Sequence, residues 1–487
     1  MNGSTQKGQT MDQSPPTGIS TEVDPLLRYI QTDSLPLHLQ HIPQEIRTKG
    51  YAVIPGILTK EECGKALSLM WNFVQDVSGN MVKKDDPHSW YPKHQLRPTQ
   101  DETFDGIISV EQDPWPHTGY SSFPDMFQSL GAGYLLGPVR ELIAERIFEP
   151  LLGTKEIHSS KEGFTFARPT SVEIDGVEHR WMRPKEVMEV KVCGKVQPNS
   201  IGEHYDQSHD THGLHTLQSS CCFLDQNEND GHFACYPYSH SETHASMTRD
   251  IYRGKFPWIP LTEQEVSSLS HKAEHIYCKQ GDVIIWRSDL VHAAVPPADN
   301  TKSFRAVAYF SMSPASWTPD YPNVWQKKID SYRCFKTGDH RSFIEDWHEH
   351  KRNGNDWIIT RQRPYYRYSP PLITPRLAEL YGLIPYRLEG AEYEKAIERA
   401  IIRGIRFMNN DSSLDLRMNF DHPLCSAKIE TFGLKDGTCL PGQDKFLGGM
   451  CSPTGKFIYG VPGHAKRTLM IDTETNEMSL IGPSFKG

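Results

Sequence analysis

The sequence predicts a mainly β fold, a sandwich or jelly roll with flanking helices and a small β extension at the C-terminus. Between about residues 163 and 315, turn clusters such as NENDG and PPADN separate short apolar or alternating runs such as DVIIWR and FRAVAYFSM. Six or more strands with short turns favour a sandwich or jelly roll over an α/β sheet. Near the C-terminus, turns join four further strand patterns: KFLGGMCS, KFIYGVPG, TLMIDT and EMSLIGP.

The segment before the β region supplies the predicted flanking helices. Residues 1–24 are rich in Ser, Thr, Gln, Gly and Pro, and we expect them to be disordered. Residues 51–54 form a short apolar strand pattern. Thr59, with Glu62 three residues later, makes a capping box that predicts the start of an amphipathic helix. A second amphipathic helix is predicted over about 137–152.

One helical insertion interrupts the β region, and a mixed segment follows it. LTEQEVSSLSHKA has its own capping signal at Thr262 and Glu265. Residues 316–410 are rich in Arg, Tyr and Pro, and then helical in AEYEKAIERAIIRGIRFM. The tail, residues 430–487, resembles a single repeat of the β-propeller type. A plain β-meander explains the same pattern equally well, and a single repeat cannot bury its own faces.

Composition excludes several classes of protein. The net charge is −9 and no run of Lys or Arg stands out, so nucleic acid is a poor candidate for a partner. No apolar stretch approaches the ~20 residues of a membrane span, and the N-terminus lacks a secretory core, so we expect a cytoplasmic protein. None of the ten cysteines forms a CxxC pair, which favours reduced thiols. Cys221 and Cys222 should point to opposite faces of one strand.

The most chemically suggestive stretch is GEHYDQSHDTHGLH, residues 202–215. His204 and Asp206 are two positions apart, so in an extended segment both side chains point to the same face and reach one metal ion. The other histidines of the stretch follow at intervals of three, but Asp, Thr and Gly between them make a poor helix. We therefore interpret three of the residues as solvated loop histidines, or as residues that surround the ligands, and not as ligands themselves: His209, His212 and His215.

An iron site for oxygen chemistry needs two imidazoles and one carboxylate on one face of the metal. His292, in GDVIIWRSDLVHAAVPP, is the candidate for the third ligand, and only strand pairing across a closed β fold can bring it to His204. Arg305 lies among apolar neighbours in FRAVAYFSM, and a buried charge there must be paired. A dicarboxylate cosubstrate or an internal salt bridge would each supply that pairing.

These segments together resemble the phytanoyl-CoA dioxygenase family of Fe(II)/2-oxoglutarate-dependent oxygenases. GYAVIPGILTKEEC resembles its opening strand and helix, HYD its HxD pair, and CCFLDQNENDGHFACYPYSH its acidic loop and terminal Ser-His. GDVIIWRSDLVHAAVPP and FRAVAYFSM resemble its segments for the distal histidine and the arginine. The similarity spans about residues 45–315, which sets the expected oxygenase domain.

The resemblance implies a double-stranded β-helix, a cupin-like jelly roll, and a set of roles. His204, Asp206 and His292 would bind Fe(II), and Arg305 would hold the distal carboxylate of 2-oxoglutarate. Gln218 is a candidate for a remaining contact to that cosubstrate. The implied reaction consumes O2, with ascorbate considered as a reductant, and hydroxylates or desaturates an unidentified small molecule. The carboxylate at Asp206 favours this over halogenation, because related halogenases replace it with a small residue.

The chain also departs from the family pattern. Tyr238 stands where the family block has Gly before Ser239 and His240, which puts the turn geometry in doubt. Ala293 and Ala294 follow the distal histidine, where many members place a small hydroxyl residue.

Two other functions fit the same residues. One is a jelly-roll binding protein without catalysis, and the other is a zinc hydrolase with Glu203 or Asp210 as its base. The substrate and the oligomeric state stay open. A group of aromatic-rich segments offers pocket-lining candidates, although core or surface packing is the favoured role for each: Trp90, Tyr91, Trp115 and residues 361–368.

Overall fold

The fold is described from a computed structural model. It describes residues 26–31, 35–92, 95–99, 113–116, 125–128, 131–181, 190–192, 195–197, 201–208, 215–249, 258–319, 322–333, 338, 340–343, 366–368, 372–386, 389–403, 405, 407, 429–431, 446–452, 456–462, 467–475, 477–482 and 484. The predicted disorder of residues 1–24 and the pocket candidates at 361–365 lie outside these ranges.

The described helices lie before, within and after the β region in sequence. They are α1 Ile42–Thr48, α2 Lys60–Val77, α3 Ala132–Leu135, α4 Gly137–Ile143, α5 Glu149–Leu152, α6 Ser239–Glu242, α7 His244–Met247, α8 Glu263–Ser267, α9 Pro322–Arg333, α10 Pro375–Leu380 and α11 Gly390–Ile402. Short 3-10 segments occur at Leu26–Arg28, Leu37–Leu39, Pro87–Ser89 and Ala315–Trp317.

The described strands are mostly short. They are β1 Tyr51–Ile54, β2 Leu96–Pro98, β3 Met126–Phe127, β4 Ile157–Ser159, β5 Phe164–Ala167, β6 Ser171–Ile174, β7 Val177–Trp181, β8 Val190–Val192, β9 Lys195–Gln197, β10 Ile201–Tyr205, β11 Leu217–Cys222, β12 His232–Cys235, β13 Ile259–Pro260, β14 Glu274–Ile276, β15 Val283–Arg287, β16 His292–Val295, β17 Arg305–Pro314, β18 Tyr366–Tyr368, β19 Ile429–Thr431, β20 Phe446–Cys451, β21 Phe457–Pro462, β22 Thr468–Asp472 and β23 Met478–Ile481.

Two antiparallel sheets form the centre of the molecule. The larger has the order β1-β15-β11-β17-β5-β3, with β4 also paired to β17, and the smaller has the order β13-β10-β16-β12-β14. Between β10 and β17 the chain passes repeatedly from one sheet to the other, because β11, β15 and β17 belong to the larger sheet and β10, β12 and β16 to the smaller. This alternation makes a double-stranded β-helix, so the predicted jelly-roll fold is confirmed.

Residues from both sheets pack together between them. Phe233 and Cys235 of the smaller sheet contact a cluster that includes Trp286 and Val307 of the larger. The opposite face of the larger sheet packs against the helices, in a cluster that joins strand residues such as Phe310 with residues of α2. The smaller sheet therefore forms one wall of an interior whose other wall is backed by helices.

The alternation of side chains along β11 confirms one detailed prediction. Cys221 belongs to the cluster on the helix side of the larger sheet, and Cys222 belongs to the cluster between the sheets. Both are buried free thiols, as are the other three cysteines whose state the structure describes: Cys63, Cys235 and Cys278.

Both predicted capping boxes are present. The Thr59 hydroxyl accepts a hydrogen bond from the backbone N–H of Glu62, and the Glu62 carboxylate accepts one from the backbone N–H of Thr59. The same arrangement starts α8 at Thr262 and Glu265. Glu62 is also held by Arg146 through two hydrogen bonds of 2.7 and 2.9 Å, which ties α2 to the helical segment that contains Arg146.

The predicted helix over 137–152 is confirmed with one modification. It begins at Gly137 with Pro138 in its first turn, passes through a π-helical stretch at Ala144–Phe148, and ends at Leu152. The C-terminal pattern is confirmed as a four-stranded antiparallel sheet in the order β20-β21-β22-β23. No helix among the described residues is long and apolar enough to cross a membrane.

Candidate metal centre

The centre of the candidate site is a direct pairing of two histidines across neighbouring strands. In the antiparallel pairing of β10 with β16, His204 and His292 are Cα partners. Asp206 follows the end of β10, and its backbone N–H donates to the carbonyl oxygen of Ser288. One potential ligand atom from each of the three side chains lies within 4.8 Å of the others, so together they could hold a metal ion.

The three ligand groups point at one another. Nε2 of His204 lies 3.6 Å from Oδ1 of Asp206, and Nε2 of His292 lies 3.3 Å from Oδ2. Both histidines are buried, while the Asp206 carboxylate is 13% exposed. The two imidazoles and the carboxylate therefore converge on one point inside the jelly roll.

The backbone sets the tautomer of both histidines. Nδ1 of His204 lies 2.6 Å from the carbonyl oxygen of Gly202, and Nδ1 of His292 lies 3.0 Å from that of Leu290. A carbonyl oxygen only accepts, so each Nδ1 carries the proton and each Nε2 keeps its lone pair for a metal. Metal-binding histidines typically donate their other ring N–H to an oxygen in this way, which fixes the orientation of the ring.

Electrostatics also favour the metal-binding protonation states. Burial, followed by the neighbouring His292, lowers the pKa of His204 to about 4. Burial acts to raise the pKa of Asp206, but the neighbouring side chains of His204 and His292 outweigh it and hold that pKa well below its usual value. At neutral pH the site therefore offers a neutral imidazole at His204 and a carboxylate at Asp206, the forms that bind metal.

Further side chains surround Asp206 and the histidines. Nε2 of Gln218 donates a 2.8 Å hydrogen bond to Oδ2 of Asp206, and Nε2 of His340 donates one of 2.9 Å to the Asp206 carbonyl oxygen. The rings of Phe233 and Trp286 contact the ring of His292 at centroid distances of 5.7 and 5.4 Å. The sequence did not assign these roles to His340 or Gln218, because neither neighbours the metal ligands along the chain.

On the open side of the site, an exposed aromatic side chain lies next to His204. The rings of Trp258 and His204 are 5.9 Å apart between centroids, and Trp258 is 51% exposed. Trp258 immediately precedes β13, the strand that pairs with β10. It thus presents a flat apolar surface beside one of the potential metal ligands.

In the histidine-rich stretch, the side chains of His204 and Asp206 point to the same place, as their two-residue spacing predicted. His209, His212 and Asp210 lie outside the described residues. His215 does not belong to the cluster of potential ligands, but the prediction that it is a solvated loop residue is wrong. It is buried, because its ring packs edge-on against Phe343 at 4.9 Å between centroids.

Arg305 is the first residue of β17 and is buried, with 7% of its surface exposed. It lies on the same face of the strand as Val307 and Tyr309, which pack between the two sheets. A Cβ on Gly231 would come within 2.9 Å of Cδ of Arg305 and 3.5 Å of the carbonyl oxygen of Val295. The Arg305 side chain thus enters the interior near Val295, three residues along β16 from His292.

Glu203 does not face the metal ligands. It is the neighbour of His204 in β10, so its side chain points to the opposite face of the strand. There it accepts a 3.1 Å hydrogen bond from the hydroxyl of Tyr236. This position removes Glu203 as the base of the zinc-hydrolase alternative, and Asp210 lies outside the described residues.

The turn after β12 fixes the start of β16. Tyr238 adopts a left-handed backbone, φ +66°, at the position where the family pattern has Gly. The hydroxyl of Ser239 donates to the carbonyl oxygen of Tyr236 and accepts from the backbone N–H of Val291, directly before His292. The left-handed turn therefore falls on a non-glycine residue, whose backbone is strained there.

Three of the aromatic pocket candidates belong to the core. Trp90, Tyr91 and Trp115 are buried around Arg168. Arg168 is held by two buried carboxylates at 2.8–2.9 Å, those of Asp113 and Asp125. The packing role that the sequence favoured for these aromatic residues agrees with their burial.

No protein-family model matches the chain, and no curated protein matches it. The predicted resemblances to the phytanoyl-CoA dioxygenase family and to a propeller repeat therefore stay predictions. Solved structures that are similar to the chain include AviO1 from Streptomyces viridochromogenes Tue57, 14% identical over 57% of this chain and 94% of its own, with a TM-score of 0.28.

Two further solved structures are similar to the chain. The epimerase SnoN, in complex with Fe3+, alpha ketoglutarate and nogalamycin RO, is 16% identical over 57% of this chain and 84% of its own, with a TM-score of 0.33. EctD from S. alaskensis with bound Fe is 14% identical over 62% of this chain and 85% of its own, with a TM-score of 0.37. Identities this low leave the function of this chain to be argued from its own residues.

Proposed function

We propose that this protein is an Fe(II)- and 2-oxoglutarate-dependent dioxygenase that hydroxylates or desaturates a small molecule. The observation that carries the proposal is the convergence of His204, Asp206 and His292, with both Nδ1 atoms tied to carbonyl oxygens and both Nε2 atoms directed at the carboxylate. Two imidazoles and one carboxylate are the ligand set of non-haem Fe(II) oxygenases, and they leave coordination positions open.

Arg305 supports the 2-oxoglutarate part of the proposal. Its buried guanidinium enters the same interior as the metal ligands, on the side toward which β16 runs from His292 to Val295. A guanidinium in such a place suits a carboxylate, because it offers paired donors and a charge that is weakly screened. We assign to Arg305 the distal carboxylate of the cosubstrate.

The residues of the chain would bind, orient and exclude water. His204, Asp206 and His292 would hold the metal, and Gln218 would fix the orientation of the Asp206 carboxylate. Phe233 and Trp286 form an apolar wall against His292 that keeps bulk water from the centre. When bound, Fe(II) and 2-oxoglutarate supply the oxidising chemistry, in which O2 is consumed and 2-oxoglutarate is converted to succinate and CO2.

Succinate formation tests the proposal directly. The full chain, incubated with Fe(II), 2-oxoglutarate, ascorbate and O2, should form succinate, and a small-metabolite extract should raise the rate. His292→Ala should lose both succinate formation and Fe(II) binding. Arg305→Leu should keep Fe(II) binding and raise the 2-oxoglutarate concentration needed for half-maximal rate. Arg180→Leu is a matched control, because Arg180 is exposed on β7.

The outcomes separate the alternatives. Metal binding without succinate formation under any condition would leave a binding protein or a zinc enzyme and would overturn the proposal. Mass spectrometry of the extract should show a gain of one oxygen atom for hydroxylation, or a loss of two hydrogen atoms for desaturation.

A further inference from the structure

A small cavity borders Asp206, one of the three potential metal ligands. In the pairing of β11 with β17, Leu217 lies opposite Met312 and Cys222 lies opposite Val307. Arg305 is therefore near the Cys222 end of this strand pair. The cavity lies at the other end of this strand pair, next to the residue that precedes β11. Its lining includes Asp206, Ser208, His215, Thr216, Ser288 and Arg341.

The described lining is polar throughout and includes the basic residue Arg341. The Thr216 hydroxyl is fully buried and has no hydrogen-bond partner among the residues that the structure describes. Ser288 is engaged, because its hydroxyl donates a 2.6 Å hydrogen bond to the side-chain oxygen of Gln207. The same oxygen accepts from the backbone N–H of His215 at 3.2 Å, so the wall around Thr216 is held in place.

A buried hydroxyl that the protein leaves without a partner indicates a site for a polar ligand group. Since the proposed function places 2-oxoglutarate between the metal ligands and Arg305, the opposite side is left for the substrate. Arg341 and Thr216 together match an anionic oxygen group, which takes donors from a guanidinium and a hydroxyl.

We propose that this cavity binds a carboxylate of the substrate through Arg341 and Thr216, so that the substrate is a small organic acid. The inference rests on the proposed function, whose hydroxylation balances as R–H + O2 + 2-oxoglutarate giving R–OH + succinate + CO2. One oxygen atom enters the substrate C–H bond and the other enters succinate, as the bond between C1 and C2 of 2-oxoglutarate breaks. The oxidised carbon lies close to the bound carboxylate, because the cavity borders a metal ligand.

The test uses acetate as a probe of the full chain loaded with Mn(II), which requires no turnover. The paramagnetic relaxation of 13C-acetate reports how close the probe binds to the metal. Acetate should bind, while acetamide, its uncharged isostere, should bind at least about tenfold more weakly. Inorganic phosphate is run in parallel, and tighter binding of phosphate than of acetate would overturn the assignment to a carboxylate.

Variants locate the probe. Arg341→Met and Thr216→Val should each weaken acetate binding, by about tenfold or more for Arg341→Met. Arg341→Lys should restore part of it. Ser219→Ala is the matched hydroxyl control, because Ser219 lies on β11 and donates to the Phe310 carbonyl oxygen away from the cavity. Arg305→Leu should leave acetate relaxation in place.

Retained Mn(II) affinity shows that a variant is folded, and Thr216→Val decides the matter if Arg341→Met does not fold. Acetate binding that survives in both cavity variants, or that is lost in Arg305→Leu, overturns the inference. So does the absence of acetate relaxation in the unaltered protein. Failure of the proposed function is separate, since it appears as absent succinate formation whatever the acetate result.

Discussion

The amide of Gln218 donates a 2.8 Å hydrogen bond to Oδ2 of Asp206, the carboxylate of the candidate metal centre. A carboxylate only accepts, so the amide nitrogen must face Asp206 and the amide oxygen must point away from it. We expect Gln218→Leu to lower Mn(II) or Co(II) affinity by about 10- to 100-fold, because outer partners orient metal-binding carboxylates. Isothermal titration calorimetry measures the effect.

Gln226 provides the control for this substitution. Its side chain is also buried, and it lies beyond the end of β11, outside the cluster of potential ligands. Gln226→Leu should leave metal affinity unchanged. Equal losses of affinity in the two variants would mean that general destabilisation, and not the contact with Asp206, explains the result.

The left-handed backbone at Tyr238 leads us to expect different stabilities for two substitutions of this residue. Its φ of +66° is unfavourable for any residue with a Cβ and free for glycine. Tyr238→Ala and Tyr238→Gly both remove the ring that packs against His271, but only Gly relieves the backbone strain. We expect the glycine variant to be more stable than the alanine variant by about 1 kcal/mol in urea unfolding. The reverse order would show that the turn changes its conformation.

The two capping boxes should contribute unequally to the free energy of unfolding. Thr59 starts the 18-residue α2, which packs against the larger sheet, so Thr59→Ala should lower the free energy of unfolding by about 1–2 kcal/mol. Thr262 starts the five-residue α8, none of whose residues is buried. Thr262→Ala should therefore lower the free energy of unfolding by only a few tenths of the loss expected for Thr59→Ala. Chemical denaturation of both variants measures the contrast, and equal losses would contradict it.

The buried side chain of His158 should make the stability of the fold depend on pH, whether or not a metal is bound. Burial, followed by the charges of Lys328 and Lys161, lowers its pKa well below 6.5 in the folded protein. Below pH 6.5 His158 therefore binds a proton in the unfolded chain but stays neutral in the folded chain. The free energy of unfolding thus falls as the pH falls.

His158→Asn removes this group while its amide keeps a hydrogen bond to the Thr318 hydroxyl, which Nδ1 of His158 contacts at 2.6 Å. The unaltered protein should lose up to about 1.4 kcal/mol more per pH unit than the variant in this range. Unfolding curves at several pH values below 6.5, with metal chelated, compare the slopes. Parallel slopes would mean that His158 is protonated in the folded state.

The sequence was sufficient to predict those features that depend on contacts between residues a few positions apart. The capping boxes at Thr59 and Thr262 and the strand at residues 51–54 depend on neighbours within a few positions, and the structure contains all three. The facing of His204 and Asp206 follows from the two-residue period of extended chain. The burial of His215 was missed because its packing partner, Phe343, lies far along the chain.

The sequence by itself determined the residue types of the candidate ligands, the strand-rich pattern and the two-residue spacing of His204 and Asp206, because these follow from residue chemistry and backbone geometry. It also named His292, but only strand register decided that His292 lies opposite His204 and not one position away, where its ring would face outward. Tertiary structure alone placed Gln218, His340 and the Thr216 cavity around Asp206. Such contacts join strands and loops that are distant in sequence, and no local pattern encodes their meeting.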